Sequence, residues 1–292
     1  MNHREDTPKG RLLIIGGAED KGDDTDNPGR NFEHYEILLN LLPESRRKKA
    51  SVEVITSASG IPVKMMRKYR SVFQKLGFAE IGHMRIEDKK TAAGKELIER
   101  IRKTHAVFLS GGDQFRLAAI LGGTPVMEEI HRRYHEDAGF LLAGTSAGAM
   151  AASALMIYQG DGNVPMRKGN VKVSSGLGFV QHCIIDTHFV ERGRFGRLVQ
   201  AVMMNPHHIG VGLGEDAALL ITGGDRARCL GSGMVIIIDA SRIRHTNMPF
   251  AAENEALSVE NLTVHILKNG DAFVFSEREF IPDEEDVTAH KK

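Results

Sequence analysis

The sequence contains no tryptophan and only two cysteines, Cys183 and Cys229, in 292 residues. Set apart in His182-Cys183-Ile184 and Arg228-Cys229-Leu230, they cannot build a disulfide scaffold or a thiolate metal cluster. Two free, buried thiols in a reducing compartment are expected. Net charge is missing too. The 38 basic residues balance 38 acidic ones, which removes any global electrostatic case for nucleic acid. No apolar run approaches the roughly 20 residues of a membrane helix. The polar start, Met1 to Pro8, leads into an apolar run too short for a secretory core. The expectation is a cytoplasmic protein without a membrane partner. Linkers rich in proline, glycine or serine are absent, as are internal repeats. One domain over residues 1–292 follows, with short polar tails at 1–10 and 282–292.

What is present suits a buried core: 41% of residues are hydrophobic. Short apolar runs alternate with helical patterns. Strands are predicted at Arg11 to Ile15, Val52 to Thr56, Glu80 to Ile86, Ala106 to Leu109 and Phe140 to Ala143. Helices are predicted at Phe32 to Leu42, Pro62 to Leu76, Ala93 to Lys103, Gln114 to Leu121, Pro125 to Asp137 and Ser146 to Met156. Fully apolar short strands alternating with helices indicate an α/β fold: a mostly parallel, doubly wound sheet flanked by helices. Later strands, Val235 to Ile238, Leu262 to Leu267 and Ala272 to Phe275, have no clear helices between them. The last two flank Asn269-Gly270, a good hairpin turn, so antiparallel additions are expected in the C-terminal part.

The chemistry centres on Gly144-Thr145-Ser146-Ala147-Gly148, a G-x-S-x-G sequence between a predicted buried strand and a predicted helix. A sharp turn there lifts the Ser146 hydroxyl clear of the sheet. The Ala147 N–H, at the helix start, can face a developing oxyanion. The bland alternative is a small-residue turn that packs helix on strand. A nucleophilic serine needs a base and an orienting acid. His188 follows the apolar run Ile184-Ile185, and Glu215 follows the glycine-laced Val211-Gly212-Leu213-Gly214. Each therefore sits at a strand end, where side chains converge in α/β sheets. Alone, either residue is ordinary; the set carries the reading. Its order is Ser, His, Glu, whereas α/β-hydrolases run Ser, acid, His. The hydrolase order would require Asp216 with His245 or His265, which lack a glycine-shaped strand end.

Other patterns are weaker. Gly16-Gly17-Ala18-Glu19-Asp20-Lys21 lacks dinucleotide spacing and reads as a glycine loop at the active-site edge. Gly223-Gly224-Asp225 reads as a plain turn. The adjacent His207 and His208 diverge in regular structure, and no H-E-x-x-H sequence is present. Neither metal nor cofactor is expected.

Four segments in this order, Gly111-Gly112-Asp113-Gln114, Gly144 to Gly148, Asp186-Thr187-His188-Phe189 with Arg192-Gly193-Arg194, and Gly212-Leu213-Gly214-Glu215, resemble the cyanophycinase family of serine peptidases, which also holds aspartyl dipeptidase. The resemblance runs from about Leu12 to about Phe275. It implies a fold related to class I glutamine amidotransferases, with serine replacing their elbow cysteine, and a homodimer. It makes Ser146 the nucleophile, His188 the general base and Glu215 its partner, with an oxyanion hole at the N–H groups of Ala147 and Gly112. The implied substrate is cyanophycin, a poly-aspartate with arginine amide-linked to each side chain, and the implied product is the β-Asp-Arg dipeptide. Arg192, Arg194 and Arg197 can fork onto carboxylates, Asp186 can meet a guanidinium, and Gln114 offers a neutral amide. The family has glutamine where this chain has Thr187, which alters one implied substrate contact. A β-aspartyl or aspartyl dipeptidase of other specificity, or a non-catalytic binding protein on the same scaffold, are the alternatives.

Overall fold

A computed structural model describes residues 7–22, 35–43, 49–162 and 164–284. Five strands form its parallel centre: β1 (Arg11–Ile15), β2 (Ser51–Ile55), β3 (Glu80–Met84), β4 (Ala106–Leu109) and β5 (Leu141–Thr145), in spatial order β3-β2-β4-β5-β1. Leu12 to Ile15 have no exposed surface because both sheet faces are covered. Leu12 and Ile14 face one core while Leu13 and Ile15 face another, the period-2 alternation of a pleated strand.

Helices supply those covers. Helix α1 (Glu36–Leu39) and α2 (Pro62–Leu76) pack on the Leu13 face, and α2 buries Met66, Tyr69, Val72 and Phe73 at helical spacing. Helices α3 (Lys95–Lys103), α4 (Gln114–Leu121), α5 (Pro125–Glu136) and α6 (Ala147–Ala151) pack on the other face. Asp113 caps α4 by accepting from Arg116 N–H at 2.9 Å, and Thr124 caps α5.

Beyond α6 lie the small pair β6 (Leu155–Gln159) and β7 (Lys172–Ser175), then β8 (Cys183–Thr187), helix α7 (Phe195–Met204) and β9 (Ile209–Leu213). The hairpin of β10 (Ala218–Thr222) and β11 (Arg226–Leu230) turns at Gly223-Gly224 and adds antiparallel to β1. Strand β12 (Val235–Asp239) pairs with β9; the short β13 (His245–Thr246) and β14 (Val259–Glu260) pair together. The chain ends in β15 (Thr263–Leu267), β16 (Ala272–Val274) and β17 (Glu279–Ile281). The central sheet thus reads β17-β16-β11-β10-β1-β5-β4-β2-β3, and a second sheet reads β15-β12-β9-β8, with β8 and β9 parallel. Ile185, Val211 and Ile237 of the second sheet join the core on the α6 face, while Ile184 and Ile238 pack with Leu198 and Val202 of α7.

Three local expectations need correction. The strands flanking Asn269-Gly270 do not form a hairpin: β15 pairs with β12, whereas β16 pairs with β11 and β17. The turn forms, with Gly270 at φ +94, but Cys229 N–H donates to Asp271 O at 2.7 Å and Cys229 O accepts from Gly270 N–H at 3.0 Å, which ties the turn to β11 and sends the chain into the other sheet. The predicted helix Ser146 to Met156 ends at Ala151, and Leu155 already begins β6. Of the predicted helix Phe32 to Leu42, Phe32 to His34 lie outside the described residues, and Glu36–Leu39 is helical. Most of the expected polar tails, residues 1–6 and 285–292, also lies outside.

Candidate active site

The end of β5 makes the elbow. Ser146 has φ 52° and ψ −114°, a conformation that costs a non-glycine residue of order 1–3 kcal/mol and survives only where its surroundings enforce it. The surroundings here are two close backbone approaches. A Cβ on Gly144 would lie 2.5 Å from the Gly148 carbonyl carbon, and one on Gly148 would lie 2.4 Å from Leu109 O. The G-x-S-x-G glycines therefore let strand, turn and helix pack without side chains between them. Ala147 begins α6, so its N–H is one of the donors a helix start leaves without an internal acceptor. The Gly111-Gly112 loop runs alongside: a Cβ on Gly111 would sit 3.4 Å from Ser146 Cβ.

Strand ends of the second sheet bring the other two residues. His188 follows β8, and Glu215 lies two residues beyond β9. Ser146 Oγ is 3.1 Å from His188 Nε2, and His188 Nδ1 is 2.7 Å from Glu215 Oε1. The tautomer satisfying both contacts has Nδ1–H donating to Glu215 while Nε2 accepts from the serine hydroxyl. The His188 side chain is 13% exposed and that of Glu215 38%, so the dyad is shielded and the acid faces water. Asp216 belongs elsewhere. Its Oδ1 accepts from Asp20 N–H at 3.0 Å and its Oδ2 from Ser232 Oγ at 2.6 Å, while His245 lies on β13 and His265 on β15, where its ring packs near Phe273 and Phe280.

One segment ties these ends together. Ser146 N–H donates to Ile15 O at 2.9 Å, His188 N–H to Gly16 O at 2.9 Å, and Asp216 N–H to Gly17 O at 3.0 Å. Three consecutive carbonyls at the end of β1 therefore hold the nucleophile, the histidine and the turn carrying Glu215. All three donor residues have positive φ: 52°, 48° and 49°. Backbone strain thus concentrates where the three ends meet.

Glu19 in the same loop was not singled out by the sequence. Its buried carboxylate accepts from Tyr69 Oη at 2.7 Å and Thr145 Oγ1 at 2.8 Å and pairs with Lys21 at 3.1 Å. Burial pushes this carboxyl up, but the Lys21 ammonium and the two hydroxyl donors outweigh it and hold it below the ordinary range. Its only signal was its position just after the strand and the glycine pair, in a run that otherwise looks like a solvated turn.

The implied substrate residues divide. Asp186 has no exposed surface and is already paired: Arg197 grips it through Nε and Nη2 at 2.6 Å each, and Arg194 Nη1 lies at 3.2 Å. The expectation that Asp186 meets a substrate guanidinium is corrected, because this carboxylate is the buried counter-charge of α7. Arg197, 8% exposed, also donates to Gly160 O at 2.8 Å, so its fork is spent within the protein. Burial lowers the Arg194 pKa and the neighbouring Asp186 opposes that shift. Arg192 is exposed and enters no ion pair among the described residues. With Arg167, Gln159, Asp161 and Glu191 it lines a cleft of about 950 Å³ that also touches Arg194 and Arg197. Gln114 donates to Ile157 O at 2.9 Å through its amide nitrogen, leaving its oxygen available. Thr187 is 1% exposed and its hydroxyl has no partner. Among the described residues no three His, Cys, Asp or Glu side chains are grouped to hold a metal ion, and no helix is long and apolar enough to cross a membrane.

Residues 12–229 match the model of Peptidase family S51. A cyanophycinase of Trichormus variabilis is 35% identical over 274 residues, covering 94% of this chain and 88% of its own. A cyanophycinase of Synechococcus elongatus is 34% identical over 271 residues, 93% of this chain and 81% of its own. The fold is also that of a peptidase from an acI-B1 Actinobacterium, at a TM-score of 0.65 and 20% identity, covering 92% and 98% of the two chains.

Proposed function

The chain belongs to Peptidase family S51 and is a serine-type peptidase; from that premise we propose that Ser146, His188 and Glu215 hydrolyse a peptide bond in cyanophycin or a related β-aspartyl polymer through an acyl-enzyme. The observation that carries the reading is the unbroken relay from Ser146 Oγ through the His188 ring to Glu215, at 3.1 and 2.7 Å. Ser146 attacks the carbonyl between successive aspartates while His188 takes its proton. The Ala147 and Gly112 N–H groups stabilise the oxyanion. His188 then protonates the leaving amine, and water, deprotonated by the same ring, frees the acyl group. With cyanophycin the released unit is β-Asp-Arg. The free carboxylates of such a unit meet Arg192, four residues beyond His188, in the cleft that it lines with Glu191 and Arg167.

The test has two parts. A serine-directed phosphonate should label wild-type protein stoichiometrically and leave Ser146→Ala unlabelled. Purified cyanophycin should yield β-Asp-Arg by mass spectrometry. Labelling that persists in Ser146→Ala removes the assigned nucleophile; labelling without dipeptide release removes the substrate.

One observation favours a second reading, a peptidase of the same chemistry with another β-aspartyl or aspartyl substrate. Thr187 stands where the cyanophycinase motif has glutamine, and its short hydroxyl is buried rather than presented to the cleft. Cleavage of β-aspartyl dipeptides without release of β-Asp-Arg from the polymer would select it.

A further inference from the structure

The flank of the active-site edge formed by α2 carries a groove of a single charge sign. Lys64, Arg67, Lys68, Ser71 and Lys75 recur at helical spacing on the exposed side of α2, opposite its buried Met66, Tyr69 and Phe73. With Lys21 and Val72 they line a cavity of about 400 Å³. No carboxylate lines it. Lys64, Arg67, Lys68 and Lys75 enter no ion pair among the described residues, whereas most cations along α3 and α5 are paired. In a chain of zero formal charge, these four unpaired cations around one groove are a local excess that the fold does not neutralise, while the fifth, Lys21, is held by Glu19.

The groove is linked to the elbow by side chains. Lys21 caps it and pairs with Glu19, which also accepts from Tyr69 of α2 and from Thr145, the residue before Ser146. We propose that this groove is an exosite for an acidic peptide segment: it holds the aspartate-rich part of a polymeric substrate while the elbow acts on another part. The inference rests on the reading of the protein as a peptidase of aspartyl polymers. Spacing supports a peptide. Cations one helical turn apart stand about 5–6 Å from each other, and same-face carboxylates of an extended chain recur every ~6.7 Å. The cations are mostly lysines, point charges suited to single carboxylates. No aromatic side chain lines the groove to stack a nucleic-acid base. The absence of lining carboxylates also selects against fully arginylated cyanophycin, whose guanidinium groups would meet only positive charge. A polymer with undecorated aspartates is the better fit.

Binding of fluorescein-labelled poly-L-aspartate to Ser146→Ala protein, read by anisotropy, tests the exosite without turnover. Adding Lys64→Glu and Lys68→Glu should weaken binding by about tenfold or more, since two exposed attractions become repulsions of modest size each. Adding Lys64→Arg and Lys68→Arg should preserve it. Sodium chloride should weaken binding to the parent protein steeply, a readout independent of any folding defect in the variants. In the active enzyme, with Ser146 intact, the glutamate pair should raise KM for an aspartate-rich polymer and leave the kinetics on a two-unit fragment, too short to reach the groove, unchanged. Unchanged poly-aspartate affinity in the glutamate pair, or salt-independent binding, overturns the proposal. An equal loss of cleavage of the two-unit fragment also overturns it, by making the groove part of the site itself. Tighter binding of a single-stranded oligonucleotide than of poly-aspartate replaces the peptide occupant. A catalytically wrong reading shows differently: cleavage would survive Ser146→Ala while groove binding stood.

Discussion

Gly17→Ala should separate the position of His188 from the stability of the fold. A Cβ on Gly17 would sit 2.4 Å from His188 Cε1 and 2.5 Å from Nε2. Ordinary carbon contacts lie at about 3.5–4.0 Å, so the ring must retreat by roughly 1 Å. Nε2 then leaves its 3.1 Å contact with Ser146 Oγ, and a misplacement of that size costs about 10²-fold in rate. Backbone strain adds a separate penalty: Gly17 has φ +108, and forcing an L-residue into the left-handed half of the map costs ~1–2 kcal/mol. Gly77→Ala supplies the control. That residue ends α2 at φ +90 with open space around its Cβ direction, so it imposes strain without touching the site. Steady-state hydrolysis and urea midpoints of both variants give the answer. Comparable stability losses, with a fall in kcat of about 100-fold confined to Gly17→Ala, are expected. Wild-type kcat in Gly17→Ala, or equal loss in Gly77→Ala, would refute the reasoning.

Ser146→Ala and His188→Ala should each abolish hydrolysis while leaving the urea midpoint nearly unchanged, and Glu215→Gln should cost on the order of 10²–10⁴ in kcat because the ring loses only its orientation. Arg197→Ala should destabilise by about 3 kcal/mol, since it strands the fully buried Asp186 with Arg194 alone, whereas exposed Arg192→Ala should leave stability intact and raise KM by roughly one to two decades. Glu19 is held below its ordinary range, so its contribution is complete above the unfolded-state value and lost as pH falls through the lower folded-state value; the stability gap between wild type and Glu19→Gln should shrink across that acid window in urea titrations. Burial, with Asp271 and Glu36 adding to it, pushes the Cys229 thiol up to about 12, and burial alone raises Cys183, so Ellman's reagent should find no reactive thiol in the native protein and two after denaturation.

The parallel half of the fold was legible because β1, β4 and β5 are apolar on both faces, β2 and β3 carry shorter apolar patterns, and helical periods alternate with them. The elbow was legible because G-x-S-x-G stood between such a strand and a helix. His188 and Glu215 could be found as strand-end residues even though their strands belong to a second sheet. That second sheet was not legible. Whether Thr263–Leu267 pairs with β12 or with β16 depends on which partner arrives across the fold, and both choices present the same turn signal at Asn269-Gly270. The roles of Asp186 and Arg197 were hidden for a related reason. A charged strand residue and an arginine 11 positions later look like a solvated, substrate-reading surface until α7 packs on β8 and closes them together.

The glycine pair after β1 explains why two sheets can share one site. In an ordinary doubly wound fold, residues gathered at the carboxyl edge come from neighbouring strands of a single sheet, and ladder hydrogen bonds set their spacing. Here the nucleophile ends a strand of the central sheet, whereas the histidine and the acid follow the paired strands β8 and β9 of another, so no ladder relates the nucleophile to the other two. The carbonyls of Ile15, Gly16 and Gly17 replace that ladder, each accepting one N–H from one arriving strand end. Glycine at 17 does two things at once. It lets the segment turn with positive φ so that its carbonyl reaches Asp216, and it leaves room for the His188 ring against its Cα. The relay distances at Ser146 and Glu215 are therefore set by the main chain of a third segment that contributes no side chain to the chemistry. A substitution in that segment changes the geometry of all three residues together, and that coupling is what Gly17→Ala measures.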